Sequence, residues 1–188
     1  MVDSYRHKGL RKKLVEGIRQ KGIRNEEVLE AINRVPRHLF MDSSFINHSY
    51  TDKAFPIGAG QTISQPYTVA FQTELLEAER HLKVLEVGTG SGYQTSVLAQ
   101  LVPEVYTVER IAGLQEQARQ RLARQLKLTN IRYKHSDGNW GWKQNAPYDG
   151  ILVTAAPEEV PQELCNQLAE GGRLVIPSGP NGQQQLRI

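Results

Sequence analysis

The sequence predicts an α/β fold: a doubly wound, mostly parallel sheet with helices on both faces, preceded by helices of its own. Three observations carry this. Short apolar runs alternate with helical segments from Leu82 onward; the run Val84–Val87 passes directly into the glycine-spaced segment Gly88-Thr89-Gly90-Ser91-Gly92; and the periodic part of the chain before residue 60 is helical. Alternation of strands with helices builds a parallel sheet covered on both faces, because each connection between parallel strands has to cross over the sheet.

Leu10, Leu14, Val15 and Ile18 recur at helical spacing, and Asn25 before Glu26-Glu27 reads as a cap opening a second helix that Pro36 ends. Residues 41–65 read as an irregular polar stretch with Pro56, Gly58 and Gly60, long for a connection and so expected to carry part of a functional site. Strands are then expected at 83–87, 105–108, 131–134, 151–153 and 173–176, with helices at 93–101, 114–126 and near 160–168. No internal repeat or second domain boundary is visible. Residues 1–188 are expected to form one domain, with 1–60 as a helical flank and loop and 61–188 as the sheet core.

Composition narrows the function. With 39% hydrophobic and 23% charged residues and no apolar run long enough to span a bilayer, a soluble protein without membrane partners is expected. The basic N-terminus lacks a signal-peptide pattern, which suggests the cytoplasm. A lone cysteine, Cys165, rules out an internal disulfide and a cysteine-rich metal site, and no metal is expected. The net charge of +3, from 23 basic and 20 acidic residues, gives nucleic-acid binding little support. The basic run Arg6-His7-Lys8 with Arg11-Lys12-Lys13 reads as a solvated helix face.

Glycines at 88, 90 and 92 let backbone approach a nucleotide-like ligand where a strand opens into a helix. A dinucleotide loop would place its third small residue at 93, which is Tyr93 here, so NAD is disfavoured. The spacing Glu86-x-Gly88-x-Gly90-x-Gly92 resembles the first motif of S-adenosylmethionine methyltransferases, in which the loop wraps the cofactor's amino-acid end and a carboxylate such as Glu86 suits its ammonium. Glu109 ends the second strand 21 residues after Gly88, where a carboxylate accepts from ribose hydroxyls. Asp137-Gly138 follows the third strand, suited to receive the adenine amino group, though Asp-Gly is also a common plain turn. The fourth strand ends in Val153-Thr154-Ala155-Ala156-Pro157 and lacks the Asn/Asp-Pro-Pro-aromatic signature of amino-methylating nucleic-acid enzymes.

Taken together, Asn33–Phe40, Gln61-Thr62-Ile63-Ser64-Gln65-Pro66-Tyr67, Leu85–Tyr93, Val108-Glu109-Arg110, Asp137-Gly138, Val153–Pro157 and Gly171–Pro177 resemble the protein-L-isoaspartate O-methyltransferase family over nearly the whole chain, in the family's order. The resemblance implies a Rossmann-like methyltransferase using S-adenosyl-L-methionine, with S-adenosyl-L-homocysteine as product. It implies L-isoaspartyl sites, with D-aspartyl sites alongside, in damaged proteins as substrate. It also implies that Gln61, Thr62, Ile63 and Ser64 close over the methyl group, with Ser64 as the active-site residue. A bland alternative for Ser64 is that it only caps the helix opening at Pro66. A monomer is expected. The family normally continues through a further pair of strands beyond Ile188, so the sheet is expected to lack a reversed edge hairpin. Competing functions are a methyltransferase of small carboxylates or nucleic acid, or a cofactor-binding protein without turnover.

Overall fold

The computed structural model describes residues 3–180 and 182–188. Two helices lead. In α1 (Tyr5–Gln20) the Ser4 side chain accepts from the His7 N–H while the His7 ring accepts from the Ser4 N–H, a reciprocal cap at the helix start. Its buried stripe of Leu14, Val15 and Ile18 packs on α2 (Glu26–Arg34), which Asn25 caps by accepting from Glu27 and Val28. Val35 then turns extended ahead of Pro36, as the residue before a proline prefers.

The stretch 41–65 is more ordered than its sequence suggests. After the 3-10 turns Arg37–Phe40 and Ser43–His48, it forms a hairpin of β1 (Phe55–Gly58) and β2 (Gln61–Ile63), which is a two-stranded sheet by itself. Strands of four and three residues are too short to show an alternating pattern, so the hairpin left no signal beyond Gly58 and Gly60. Helix α3 (Pro66–Leu76) follows, starting on a proline where the missing N–H costs nothing.

The main sheet comprises β3 (Lys83–Val87), β4 (Glu104–Glu109), β5 (Ile131–His135), β6 (Tyr148–Val153), β7 (Leu168–Ser178) and β8 (Gln185–Arg187), in the order β5-β4-β3-β6-β7-β8. All neighbours are parallel except β8, which runs antiparallel to β7 with Ile176 opposite Arg187 and Ser178 opposite Gln185. An antiparallel edge strand of three residues is therefore present. Helices α4 (Tyr93–Leu98), α5 (Ala112–Arg119) and α6 (Gln162–Cys165) lie in the crossovers. All three crossover helices are shorter than expected, α4 ending at Leu98. Residues 120–125 continue α5 as a π-helix, and α6 is a single turn because β7 already begins at Leu168.

Alternation along the strands sorts the core onto two faces. Val84, Val105, Leu152 and Val175 face α1 to α5, while Leu85, Val87, Val108, Ile151 and Ile176 face Leu164 of α6 and Trp142. Because the chain leaves β3 for β4 on one side and later returns to β6 on the other, a crevice opens at the carboxyl ends of β3 and β6, where open α/β sheets bind ligands.

Candidate functional site

That crevice holds a cavity of about 540 Å³. Gln61, Thr62, Ile63 and Ser64 form one wall; Gly88, Gly90, Glu109, Asp137 and Gly138 line it from the strand ends. Of the residues singled out in the sequence, only Glu86 and Gly92 are not part of its lining.

Gly88 has φ +100°, and a Cβ there would sit 2.4 Å from Thr154 Oγ1. The Thr154 hydroxyl is shared between the carbonyls of Val87 (3.0 Å) and Gly88 (2.7 Å), so the ends of β3 and β6 are tied together beside the cavity. Gly138 is equally constrained: a Cβ would meet Val87 Cγ1 at 2.3 Å, which fixes the turn after β5 against β3. Gly92 serves packing instead. Any Cβ it carried would press on Leu122 and Ala118 at 3.0–3.3 Å, so its small size lets the helical segment after β4 close on α4.

The Glu86 expectation is corrected outright. Its side chain leaves β3 on the face opposite Leu85 and Val87, is fully buried, and accepts from the hydroxyls of Thr95 on α4 and Thr107 on β4. One oxygen, Oε1, has no partner among the described residues. Burial pushes this carboxyl up to about 8, the two threonine donors opposing it and Glu109 adding to it. It is a protonated, structural acid at neutral pH and not a counter-charge facing the cavity. Thr107 also contacts Thr89 of the glycine loop, hydroxyl to hydroxyl at 2.6 Å; since Thr107 gives its proton to Glu86, Thr89 is the donor to Thr107.

Glu109, by contrast, borders the cavity. Its two oxygens each accept one backbone N–H, from Gly90 and Ile111 at 2.9 Å, which clamps the glycine loop to the end of β4. A carboxylate has about four acceptor sites, so each oxygen keeps capacity for a further donor such as a hydroxyl. Asp137 is exposed and accepts from Asn139 N–H at 2.9 Å, opening a short 3-10 turn at the rim.

Ser64 is half-buried and lines the cavity one residue before the N-cap of α3. The N-cap is Gln65, whose side chain makes no cap bond, so Ser64 does not cap this helix. That work falls to Asp52, which sequence reasoning missed: its carboxylate accepts from Tyr67 N–H at 2.8 Å and from Gln65 Nε2 at 3.1 Å, and pairs with Lys21. Burial opposes its charge, but these donors outweigh it and hold the carboxyl below its ordinary range. Nothing in the local sequence pairs Asp52 with a helix that starts fourteen residues later. Thr154 had a signal, in the strand-end run Thr154–Pro157, but no residue type there announced a tether.

A family model described as protein-L-isoaspartate(D-aspartate) O-methyltransferase matches residues 9–188. The chain belongs to that family. It is 54% identical over 178 residues to protein-L-isoaspartate O-methyltransferase 1 of Marinobacter nauticus, covering 95% of this chain and 81% of that relative. To the protein-L-isoaspartate O-methyltransferase of Cellvibrio japonicus it is 59% identical over 176 residues, 93% of this chain and 78% of the other. A solved protein-L-isoaspartate O-methyltransferase superposes with a TM-score of 0.83 at 29% identity, covering 94% of this chain and 57% of that one. A Plasmodium falciparum structure assigned to the same enzyme class, in complex with S-adenosyl-L-homocysteine, gives 0.81 at 27% identity over 94% of this chain and 87% of that one. The Rossmann-like methyltransferase fold expected from the sequence is thus the fold of the isoaspartate methyltransferase family. No helix among the described residues is long and apolar enough to cross a membrane.

Proposed function

We propose that this member of the isoaspartate methyltransferase family transfers the methyl group of S-adenosyl-L-methionine to the free α-carboxylate of L-isoaspartyl residues, and of D-aspartyl residues, in damaged proteins. The observation that carries this reading is that the Gln61–Ser64 segment, the glycine loop and Glu109 line the same cavity. The cavity fits the cofactor: its volume of about 540 Å³ lies in the range of small-molecule sites, and a Cβ at Gly88 or Gly138 would break the packing that shapes its floor. Glu109 would accept from the ribose hydroxyls with its spare acceptor sites, Asp137 would meet the adenine amino group, and Gly88 and Gly90 would border the amino-acid end. When bound, the cofactor supplies an electrophilic methyl on a sulfonium.

The chain's own part is to bind and orient. A carboxylate with a pKa near 4 is already ionised at neutral pH, so no general base is needed. The Ser64 hydroxyl donates to the attacking carboxylate and holds it in line, while Ile63, Val69, Val87, Val153 and Leu164 are among the apolar residues of the lining. The backbone amide nitrogen then attacks the ester carbonyl without enzymatic help, expelling methanol and closing a succinimide, which water reopens in part as normal aspartate. In the same reading residues 1–188 act as one methyltransferase domain, monomeric and cytoplasmic; static light scattering tests the oligomeric state.

The deciding assay uses labelled S-adenosyl-L-methionine with an isoaspartyl peptide and its normal aspartyl twin. Label on the isoaspartyl peptide alone is expected. Equal labelling of both peptides, or labelling of nucleic acid, would overturn the assignment.

A further inference from the structure

His38 is fully buried, yet among the described residues only one of its ring nitrogens has a partner: Nδ1 lies 2.7 Å from Tyr50 Oη, and Nε2 has none there. A buried nitrogen left without a partner costs on the order of 1–3 kcal/mol, so it calls for a ligand. The His7 ring stacks on it, centroids 3.9 Å apart with the planes 29° from parallel, and Asp3 completes a group whose donor atoms all lie within 4.8 Å of one another. None of the three borders the cavity at the strand ends.

We propose that Asp3, His7 and His38 form a site for a divalent transition-metal ion of the zinc class. Two imidazoles and one carboxylate are the donor set such ions prefer, whereas magnesium and calcium favour oxygen donors alone. The surroundings supply the orienting contacts that metal-binding histidines and carboxylates require. Tyr50 Oη accepts from Arg11 at 3.1 Å and shares a 2.7 Å hydrogen bond with His38 Nδ1 that can run in either direction; an ion on Nε2 selects the tautomer in which Nδ1–H donates to Tyr50. Arg11 also holds both Asp3 oxygens, at 3.1 and 3.0 Å, and each oxygen keeps acceptor capacity for an ion. His7 Nδ1 accepts from Ser4 N–H, which leaves its Nε2 as the ligating atom.

Two features bound the affinity. Ligands of a tetrahedral zinc site stand about 3.4 Å apart, so the half-buried His7 has to turn out of its stack to close on the ion. The Arg11 guanidinium repels a dication a few ångströms away. Binding weaker than that of a preformed tetrahedral site follows, with the ion fastening the segment before α1 to the turn after α2. No motif announced this: His7 and His38 are 31 residues apart, and the expectation of no metal rested on the lone cysteine.

The test titrates untagged protein with cobalt(II), zinc and magnesium. Visible d–d absorption of a four-coordinate cobalt site, saturating at one equivalent and displaced by zinc, is expected, together with a rise in Tm of about 5–10 °C at a hundredfold excess of zinc over Kd. Magnesium should do neither. His7→Ala and Asp3→Asn, both outside the core, should weaken binding at least tenfold with the circular dichroism unchanged; His38→Gln should abolish it, and if that variant fails to fold the other two carry the test. No saturable binding, or binding unchanged in both His7→Ala and Asp3→Asn, overturns the proposal. So does binding that disappears only in Cys165→Ser, which would place the ion on the exposed thiol.

Discussion

The Asp52 carboxylate accepts the backbone N–H of Tyr67 at 2.8 Å, so the first turn of α3 is capped from outside the helix, two residues past the Ser64–Gln65 junction. Asp52 thereby positions the segment that carries Ser64. Asp52→Ala should lower stability by about 1 kcal/mol, or ~2–4 °C in Tm, and also reduce turnover about threefold to tenfold while S-adenosyl-L-homocysteine affinity holds. Asp52→Asn keeps an acceptor for Tyr67 and should recover most of the turnover. A variant that loses stability but keeps its full rate would deny Asp52 the positioning role.

Ser64 makes no cap bond, so its removal should leave Tm nearly untouched. For Ser64→Ala, kcat on the isoaspartyl peptide should fall roughly 10- to 100-fold, or about 1.4–2.7 kcal/mol of transition-state stabilisation, with cofactor affinity little changed. Calorimetry beside steady-state kinetics checks both; an unaltered kcat removes Ser64 from the reaction.

Glu109 serves two ends at once, holding Gly90 and Ile111 and offering its remaining acceptor sites to the cavity. Glu109→Ala should weaken S-adenosyl-L-homocysteine binding by about 1.5–3 kcal/mol, the range for hydrogen bonds to a charged group. Isothermal titration reads this directly, and NAD should give no heat with either protein. An affinity equal to wild type would place Glu109 outside the site.

Glu86 predicts a pH dependence of stability. Its carboxyl titrates at about 8 in the folded chain against an ordinary 4.5, so the folded state holds a proton that the unfolded state releases. The associated stability is fully present below pH 4.5, declines as pH rises toward 8 and is gone above it. Glu86→Gln, which keeps an acceptor for Thr95 and Thr107 without a charge, should flatten that decline and raise Tm at pH 8–9. Denaturant melts from pH 5 to 9 decide it; parallel curves for the two proteins would show that Glu86 is charged in the fold.

The sheet was legible because its information is local: β3 to β6 each appear as an apolar run followed by a turn, and the glycine loop, Glu109 and Asp137-Gly138 sit at consecutive strand ends. Alternation also contained the Glu86 answer, since a residue one step from Val87 must face the other side of the sheet; the motif's spacing drew attention to charge and away from that parity. The β1–β2 hairpin was too short for any period to register. Asp52 and the pairing of His7 with His38 depend on contacts across 15 and 31 residues, which no window of sequence reveals.

The hairpin has one more effect. Among the described residues β1 and β2 pair only with each other, so the wall bearing Gln61 to Ile63 shares no ladder bonds with the main sheet, whereas the opposite wall is built on β3 and β4, each bonded along both edges, and on the edge strand β5. The two sides of the cavity therefore differ in what it takes to displace them. One can swing away without unzipping any strand of the central sheet, while the other retains its shape throughout. What the hairpin side gives up on moving is the packing of Ile63, Phe55 and Ile57 on the core and no bond of the main sheet.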